Sequence, residues 1–221
     1  MTDMNDNWRK FVEGTLHGET ETPWRDDPAY RLLLQFPGLR DAIGGQVAPA
    51  LTQASGLVQA LAQVDMQALV RQRRPAVGLS LGFGMNWSEP YDLLQVFELD
   101  CVHAYEWIGD QVVEAARSFQ ALDATASDLF TRIRLHHGTI SDLSALADTS
   151  VRMAYAANIF NPEIPMAPET FSHAVSELMR VLEPSGVVFS RGSSGVFEEA
   201  LTPFGRMLLR NPLVSVFQKN S

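Results

Sequence analysis

The 221-residue chain is 46% apolar, enough to bury a sizeable core, and 19% charged, which excludes a typical disordered composition. Its formal charge of −9 disfavours a nucleic-acid partner, because phosphate backbones carry the same sign. The lone cysteine, Cys101, excludes an internal disulfide and suits a reducing cytoplasm. We expect a cytoplasmic protein, because the N-terminus has no apolar signal region and no apolar stretch approaches the ~20 residues of a membrane span.

The N-terminal third of the chain has a helical pattern after a polar start. Residues 1–30 are polar, and from there to about Arg74 apolar residues recur every three or four positions until Pro75 ends the pattern. Arg71 and Arg73 lie at the end of this pattern, where cations complement the helix dipole. We predict an N-terminal helical lid or accessory segment over residues 1–74 and an α/β domain over residues 75–221.

Beyond Pro75, short apolar runs alternate with helical patterns. The runs predict five strands: Ala76–Leu81, Cys101–Tyr105, Ile133–His136, Val151–Ala156 and Val187–Ser190. Between them we predict three helices: Ser88–Phe97, Asp110–Phe119 and Glu169–Leu182. Segments around Arg206–Leu209 and Leu213–Phe217 are expected to pair as a terminal hairpin. Alternating strands and helices imply a parallel sheet, whose ligands bind beyond the carboxyl ends of the strands.

A glycine turn and a carboxylate stand at two of those strand ends. The first strand runs into Gly82-x-Gly84, and the second ends at Glu106. Glycines let backbone approach a ligand closely, and a carboxylate can accept hydrogen bonds from both hydroxyls of a ribose. This order indicates a pocket for a nucleoside-bearing cofactor. A nicotinamide fingerprint would also require glycine at Trp87.

Further segments make the chain resemble the class I S-adenosylmethionine-dependent methyltransferases over residues 75 to 219. LSLGFGMN is similar to the family's first motif, although Ser80 replaces the usual acid and Asn86 the third glycine. Glu106-Trp107 matches the second motif, whereas Gly138-Thr139-Ile140 lacks the usual adenine-binding acid of the third. The family's fourth segment is similar to AYAANIF. Its later helix, turn and fifth strand are similar to SELMRVLEPSGVVFS, and its final antiparallel strand is similar to VSVFQKN.

The resemblance implies a Rossmann-like three-layer α/β/α sandwich, with a mostly parallel seven-stranded sheet and an antiparallel last strand. It also implies that S-adenosylmethionine binds here and leaves as S-adenosylhomocysteine. It implies that Glu106 contacts the ribose and that Asn158 contacts the methionine end or the acceptor. The residues implied near adenine are Trp107, Thr139 and Ile140. Those implied at the glycine turn or the methionine portion are Ser80, Gly82, Gly84 and Asn86.

Each of these residues also has a purely structural interpretation. The glycines could serve only a tight turn, and Glu106 could be an exposed carboxylate at a strand end. Trp107 could pack in the core, and Asn158 could be a turn residue. Adjacent strand residues point to opposite faces, so His136 and His137 predict no metal site, although His137 could act as a base.

The leading functional hypothesis is a methyltransferase that acts on a small-molecule acceptor, with catalytic residues unassigned. The departures at Ser80, Asn86 and Thr139 leave open an alternative, in which a catalytically silent protein uses the fold for assembly or regulation. A nicotinamide-dependent oxidoreductase is the third hypothesis. The sequence predicts neither a nucleic-acid nor a membrane partner, and it leaves a homodimer open.

Overall fold

The structure is a computed structural model that describes residues 64, 66–84, 89–161, 166–193, 195–210 and 214–221. Its helices are α1 (Met66–Arg71), α2 (Glu89–Val96), α3 (Gly109–Phe130), α4 (Pro168–Val181) and α5 (Gly195–Leu201), the last followed by a 3-10 turn (Thr202–Phe204). Its strands are β1 (Val77–Leu81), β2 (Cys101–Glu106), β3 (Ile133–His137), β4 (Val151–Ala157), β5 (Leu182–Arg191), β6 (Gly205–Arg210) and β7 (Val214–Lys219).

The strands form one seven-stranded sheet in the order β3-β2-β1-β4-β5-β7-β6. Strands β1 to β5 pair in parallel, whereas β7 runs antiparallel to both of its neighbours, β5 and β6. The predicted α/β fold, with its mostly parallel sheet and antiparallel last strand, is therefore confirmed. The chain order reverses direction at β1 and β4, and in such sheets the crevice at this switch point holds the ligand.

Helices cover both faces of the sheet, because neighbouring residues of one strand enter different apolar clusters. Tyr105 packs with Leu178 and other residues of α4 on one face. Ala104, the residue before it, packs with Ala115 of α3 on the other face. The side-chain alternation of a strand thus produces the three layers that the sequence predicts.

Strand β5 starts earlier than the sequence predicts. The predicted turn around Ser185 is contained within a strand that begins at Leu182, and Ser185 adopts a positive φ of 62°. Opposite it, the register with β4 shifts between Val151 and Met153. The turn signal therefore marks an irregularity in the strand rather than its start. Helix α5, in contrast, has no counterpart among the predicted elements.

Residues 138–150, between β3 and β4, form turns and no helix. Arg180 of α4 fixes these turns by donating hydrogen bonds to the carbonyls of Leu143 (2.9 Å) and Leu146 (3.0 Å). Glu177 accepts from the Leu143 N–H (2.9 Å) and from Arg180, whose guanidinium lowers the pKa of this carboxyl. The connection is thus held against α4 by charge-assisted hydrogen bonds.

Helix α1 contacts the sheet through a buried arginine. The Arg152 side chain is 1% exposed, donates to the Leu69 carbonyl (3.1 Å) and lies 3.9 Å from the Glu183 carboxylate. The predicted helical pattern before residue 64 lies outside the described residues. None of the helices in the described ranges is both long and apolar enough to cross a bilayer.

The arginines at the end of α1 and just beyond it are paired with nearby carboxylates. Arg71 pairs with Glu98, and Arg74 with Asp100 at 2.9 Å. A hydrogen bond from the Ala76 backbone, followed by one from Arg74, lowers the pKa of Asp100. These pairs support a structural role at a helix end for this basic cluster.

Candidate functional site

The glycine turn joins β1 to the carboxyl end of β2. The Gly82 N–H donates to the Tyr105 carbonyl (2.8 Å), and both Gly82 and Gly84 have positive φ angles, 65° and 58°. L-residues with a side chain rarely adopt such angles, so the turn itself requires glycine at both positions. The turn by itself is therefore enough to explain both glycines.

The two glycines differ in what surrounds them. A Cβ on Gly82 would lie 2.2 Å from Ile159 Cδ1, so Ile159 already fills the space beside that residue. Among the described residues, a Cβ on Gly84 would meet only Gln111 Oε1, at 3.8 Å. Within this part of the chain Gly84 is thus the less crowded of the two glycines, and we call the space beside it the cradle.

Glu106 is a buried carboxylate with both oxygens engaged. It is 3% exposed, which contradicts its interpretation as an exposed strand-end carboxylate. Its Oε2 accepts from the Gly84 N–H (2.9 Å), and its Oε1 accepts from the Ile108 N–H (2.9 Å). A carboxylate offers about four acceptor positions, so these two bonds orient the group and leave further lone pairs for ligand hydroxyls.

Ser80, which stands where the family's acid is usual, is hydrogen-bonded to an acid from another element. Ser80 is 0% exposed, and its hydroxyl donates to Glu89 Oε1 at 2.6 Å. Glu89 begins α2 and is itself 7% exposed. The helix after the glycine turn thus brings a carboxylate to the position where the strand lacks one.

Trp107 is not a core residue. It is 73% exposed, which contradicts the core-packing interpretation, and Ile108 beside it is 40% exposed. The Trp107 carbonyl accepts a hydrogen bond from His137 Nε2 (3.0 Å), which joins the carboxyl ends of β2 and β3. His137 therefore lies next to Trp107, and the site presents a large aromatic face to solvent.

A cleft of about 470 Å³ lies at the carboxyl end of β3. The Gly138 N–H donates to the Glu106 backbone carbonyl (3.0 Å), so the cleft adjoins the end of β2, although the Glu106 side chain does not line it. Thr139 lines the cleft and shares a hydrogen bond with the Ser141 hydroxyl (2.9 Å), whereas Ile140 packs against the α4-side core. Of the three residues predicted near adenine, Trp107, Thr139 and Ile140, only Thr139 lines the cleft.

An aromatic stack forms one wall of this cleft. Tyr105 and His136 stack with centroids 4.4 Å apart, and His103 Nδ1 lies 2.8 Å from His136 Nε2. Burial, followed by the charge of His136, lowers the pKa of His103 to about 4, and burial also lowers the pKa of His136. Both rings are thus neutral near pH 7. Within the described ranges, no group of three potential ligands could hold a metal ion.

Asn158 has the conformation of a turn residue. Its φ is 59°, its N–H donates to the Arg191 carbonyl (2.8 Å), and its Oδ1 lies 2.3 Å from where a Cβ on Gly192 would be. Asparagine is among the residues that most readily adopt positive φ, so the turn alone explains its presence. Asn86, the other polar residue predicted at the turn, lies outside the described residues.

Three further residues belong to the site although the sequence did not single them out. Glu89 carries the buried carboxylate beside Ser80. The Gln111 Oε1 and the Tyr105 hydroxyl are buried and have no hydrogen-bond partner in the described part of the chain. The only sequence signal for Gln111 is its place in the first turn of the helix that follows Glu106-Trp107.

Comparisons with known proteins support the fold. The sequence matches no protein-family model and no curated protein. A putative sarcosine dimethylglycine methyltransferase from Galdieria sulphuraria matches with a TM-score of 0.51 and 18% identity, covering 91% of this chain and 65% of that one. This chain therefore spans less than two thirds of that protein.

Two further structures have similar scores. A putative rRNA-methylase from Clostridium thermocellum has a TM-score of 0.51 and 12% identity, with coverages of 74% of this chain and 96% of that one. SMU.1697c, a putative methyltransferase from Streptococcus mutans in complex with SAH, has a TM-score of 0.50 and 12% identity, with coverages of 70% and 95%. This chain has the class I methyltransferase fold.

The residues at the switch point of this methyltransferase fold suit an adenosyl ligand. Gly84 borders the cradle, and Gln111 Oε1 lies beside it as a buried acceptor. The oriented carboxylate of Glu106 suits a ribose diol, and Trp107 offers a flat apolar surface for a base. The donor and acceptor set therefore fits S-adenosylmethionine.

Proposed function

We propose that the protein is an S-adenosylmethionine-dependent methyltransferase that acts on a small molecule. The observation that carries the proposal is the buried Glu106 carboxylate, held by the Gly84 N–H beside the cradle of the glycine turn. A buried charge is costly unless it has partners, so a carboxylate kept at a strand end with unused acceptor positions favours a hydroxyl-bearing ligand.

The adenosine half of the cofactor would lie across the ends of β2 and β3. Glu106 would accept from the ribose hydroxyls, and Trp107 would stack on adenine. Thr139, in the adjoining cleft, would approach the edge of the base, with Ile140 contributing backbone only. This arrangement agrees with the exposure of Trp107, because a ligand would cover an indole that the protein itself leaves in solvent.

The methionine half would lie over the glycine turn. Glu89 is 7% exposed and accepts a hydrogen bond from Ser80, two residues before Gly82. Its carboxylate would add negative potential near the end of the ligand that carries an ammonium and a sulfonium. Bound S-adenosylmethionine supplies an activated methyl group, so the protein has to orient the acceptor in line and exclude water. For this reason the proposal needs no catalytic triad, and it assigns no catalytic base.

The proposal of a small-molecule acceptor rests on charge. The chain carries a formal charge of −9, and the arginines at the end of α1 and just beyond it are paired with Glu98 and Asp100. Both observations weigh against a polyanionic acceptor such as rRNA, the acceptor named for the Clostridium neighbour. Residues 1–74 remain our candidate for an N-terminal lid or accessory segment. Helix α1 within this range contacts Arg152 near the amino end of β4, so a lid over the acceptor would have to come from residues before α1. The reducing cytoplasm remains the expected compartment.

Calorimetry with S-adenosylhomocysteine tests the proposal, with Trp107→Ala as the informative variant. Trp107 is 73% exposed, so its removal should leave the free energy of unfolding nearly unchanged. The loss of base stacking should weaken binding by about fivefold to a hundredfold. Val196→Ala is the matched control, because it removes another exposed apolar side chain, 62% accessible, and should bind like the wild type.

The same titrations separate the proposal from its alternatives. Saturable binding of NAD, without binding of S-adenosylhomocysteine, would replace the methyltransferase by an oxidoreductase. The antiparallel β7 between β5 and β6 already weighs against that outcome, because the dinucleotide fold keeps its strands parallel in the order 3-2-1-4-5-6. Binding of neither nucleotide would favour the catalytically silent alternative. Transfer of a labelled methyl group to a panel of small acceptors then tests turnover.

A further inference from the structure

Gln111 carries a buried acceptor that the described part of the protein leaves without a hydrogen-bond partner. The atom is Oε1, which is shielded from solvent. Leaving such an acceptor unsatisfied usually costs free energy, so an unsatisfied group in a native structure calls for an explanation. A ligand that donates a hydrogen bond is one such explanation.

The position of Oε1 indicates where that ligand would lie. Among the described residues it is the nearest atom to the position that a Cβ on Gly84 would take, at 3.8 Å. The N–H of the same Gly84 donates to Glu106 Oε2 (2.9 Å). Gln111 Oε1 and the Glu106 carboxylate thus both lie beside Gly84.

The Gln111 side chain is positioned by the start of α3. Its backbone N–H donates to the Ile108 carbonyl (3.0 Å), and the Ile108 N–H donates in turn to Glu106 Oε1 (2.9 Å). The same short segment therefore fixes both the carboxylate and the amide. Glu106 and Gln111 thus both bring acceptor oxygens to Gly84, the first through its N–H and the second beside its Cβ position.

A group of acceptors selects ligands that bring donors. Each hydroxyl of a ribose can donate one hydrogen bond, whereas a phosphate monoester at the same position would bring only negative charge and acceptors against Glu106. We infer that Gln111 is a ribose-binding residue, which accepts from one hydroxyl of the adenosyl ribose while Glu106 accepts from the diol. This inference rests on the proposed function, because it assumes that an adenosyl ligand occupies the cradle.

The test is a pair of variants on one helix, Gln111→Leu and Gln120→Leu. Gln120 is exposed on α3, so its substitution controls for adding leucine to this helix. Binding of S-adenosylhomocysteine and of its 2′-deoxy and 3′-deoxy analogues is measured by calorimetry, and unfolding is measured in urea. Loss of one hydrogen bond should weaken binding of S-adenosylhomocysteine to Gln111→Leu by about 3- to 10-fold.

The unfolding midpoint of Gln111→Leu should stay the same or rise, because the substitution removes an acceptor that has no partner in the free protein. Its binding penalty should vanish with one of the two deoxy analogues, which lacks the hydroxyl that Gln111 contacts. Together these two results would establish the contact.

Equal affinity of Gln111→Leu and wild type for S-adenosylhomocysteine would overturn the inference and leave the proposed function intact. An equal penalty with all three ligands would also overturn it, because Gln111 would then shape the pocket without contacting a hydroxyl. Failure of the wild type itself to bind S-adenosylhomocysteine would overturn the proposed function, and the inference with it.

Discussion

Alanine substitutions at Gly82 and Gly84 should separate packing from ligand binding at the glycine turn. Both residues have positive φ, 65° and 58°, so an alanine at either position carries a left-handed strain of about 1–2 kcal/mol. Only at Gly82 would the new Cβ also collide, at 2.2 Å from Ile159 Cδ1. Overpacking of this kind costs about 1–3 kcal/mol, so Gly82→Ala should destabilise the protein by about 2–5 kcal/mol and Gly84→Ala by about 1–2 kcal/mol.

The order of the two effects should reverse for ligand binding. The Cβ of Gly84→Ala would enter the cradle, so this variant should lose more affinity for S-adenosylhomocysteine than Gly82→Ala. Urea unfolding and calorimetry on the same samples measure both quantities. Ile159→Val supplies a further check, because it removes Cδ1 and should recover part of the loss in Gly82→Ala, a coupling of about 0.5–3 kcal/mol.

Three results would refute this reasoning. Equal destabilisation by the two alanines would show that backbone strain dominates and that Ile159 yields without cost. Strict additivity of Gly82→Ala and Ile159→Val would show that the two side chains do not meet. Greater loss of affinity in Gly82→Ala than in Gly84→Ala would place the ligand on the other side of the turn.

Further predictions concern the groups that hold the site together. Glu106→Gln should lower the free energy of unfolding by about 1–3 kcal/mol in urea titrations, because the new amide nitrogen faces one of two N–H donors; an unchanged midpoint would argue against those bonds. Arg180→Met should lower it by a similar amount, about 1–3 kcal/mol, and speed limited proteolysis within residues 138–150, since carbonyls of that connection lose their donor; equal proteolysis rates would contradict the role of Arg180. The pKa of His103 in the folded protein, about 4, lies below the ordinary histidine value of 6.5, so protons bind the unfolded state first. Stability should therefore fall as pH decreases from about 6.5 to about 4, and His103→Phe should flatten that slope, with an unaltered slope counting against the buried neutral ring.

The sequence by itself determined the order of elements and the position of the site. Apolar runs of strand length alternate with helical patterns from residue 76 onward, and parallel strands bring their carboxyl ends to one edge of a sheet. For that reason the Gly82 turn and Glu106, which follow two successive predicted strands, were expected to meet, and the Gly84 N–H does donate to Glu106. Helix α5 was not predicted, because its seven residues, Gly195–Leu201, are too few to show a helical period.

Only the tertiary structure decided what each site residue does. The local sequence does not show whether Trp107 packs in the core or lies in solvent, or whether Ser80 contacts an acid. It also does not show which of the two glycines is crowded by a neighbouring side chain. The answers depend on Glu89, which begins another helix, and on Ile159, which follows another strand. Burial and hydrogen bonding are properties of residues brought together from distant parts of the chain. Periodicity records which face of an element is apolar, and it carries no information about the side chain that will lie opposite.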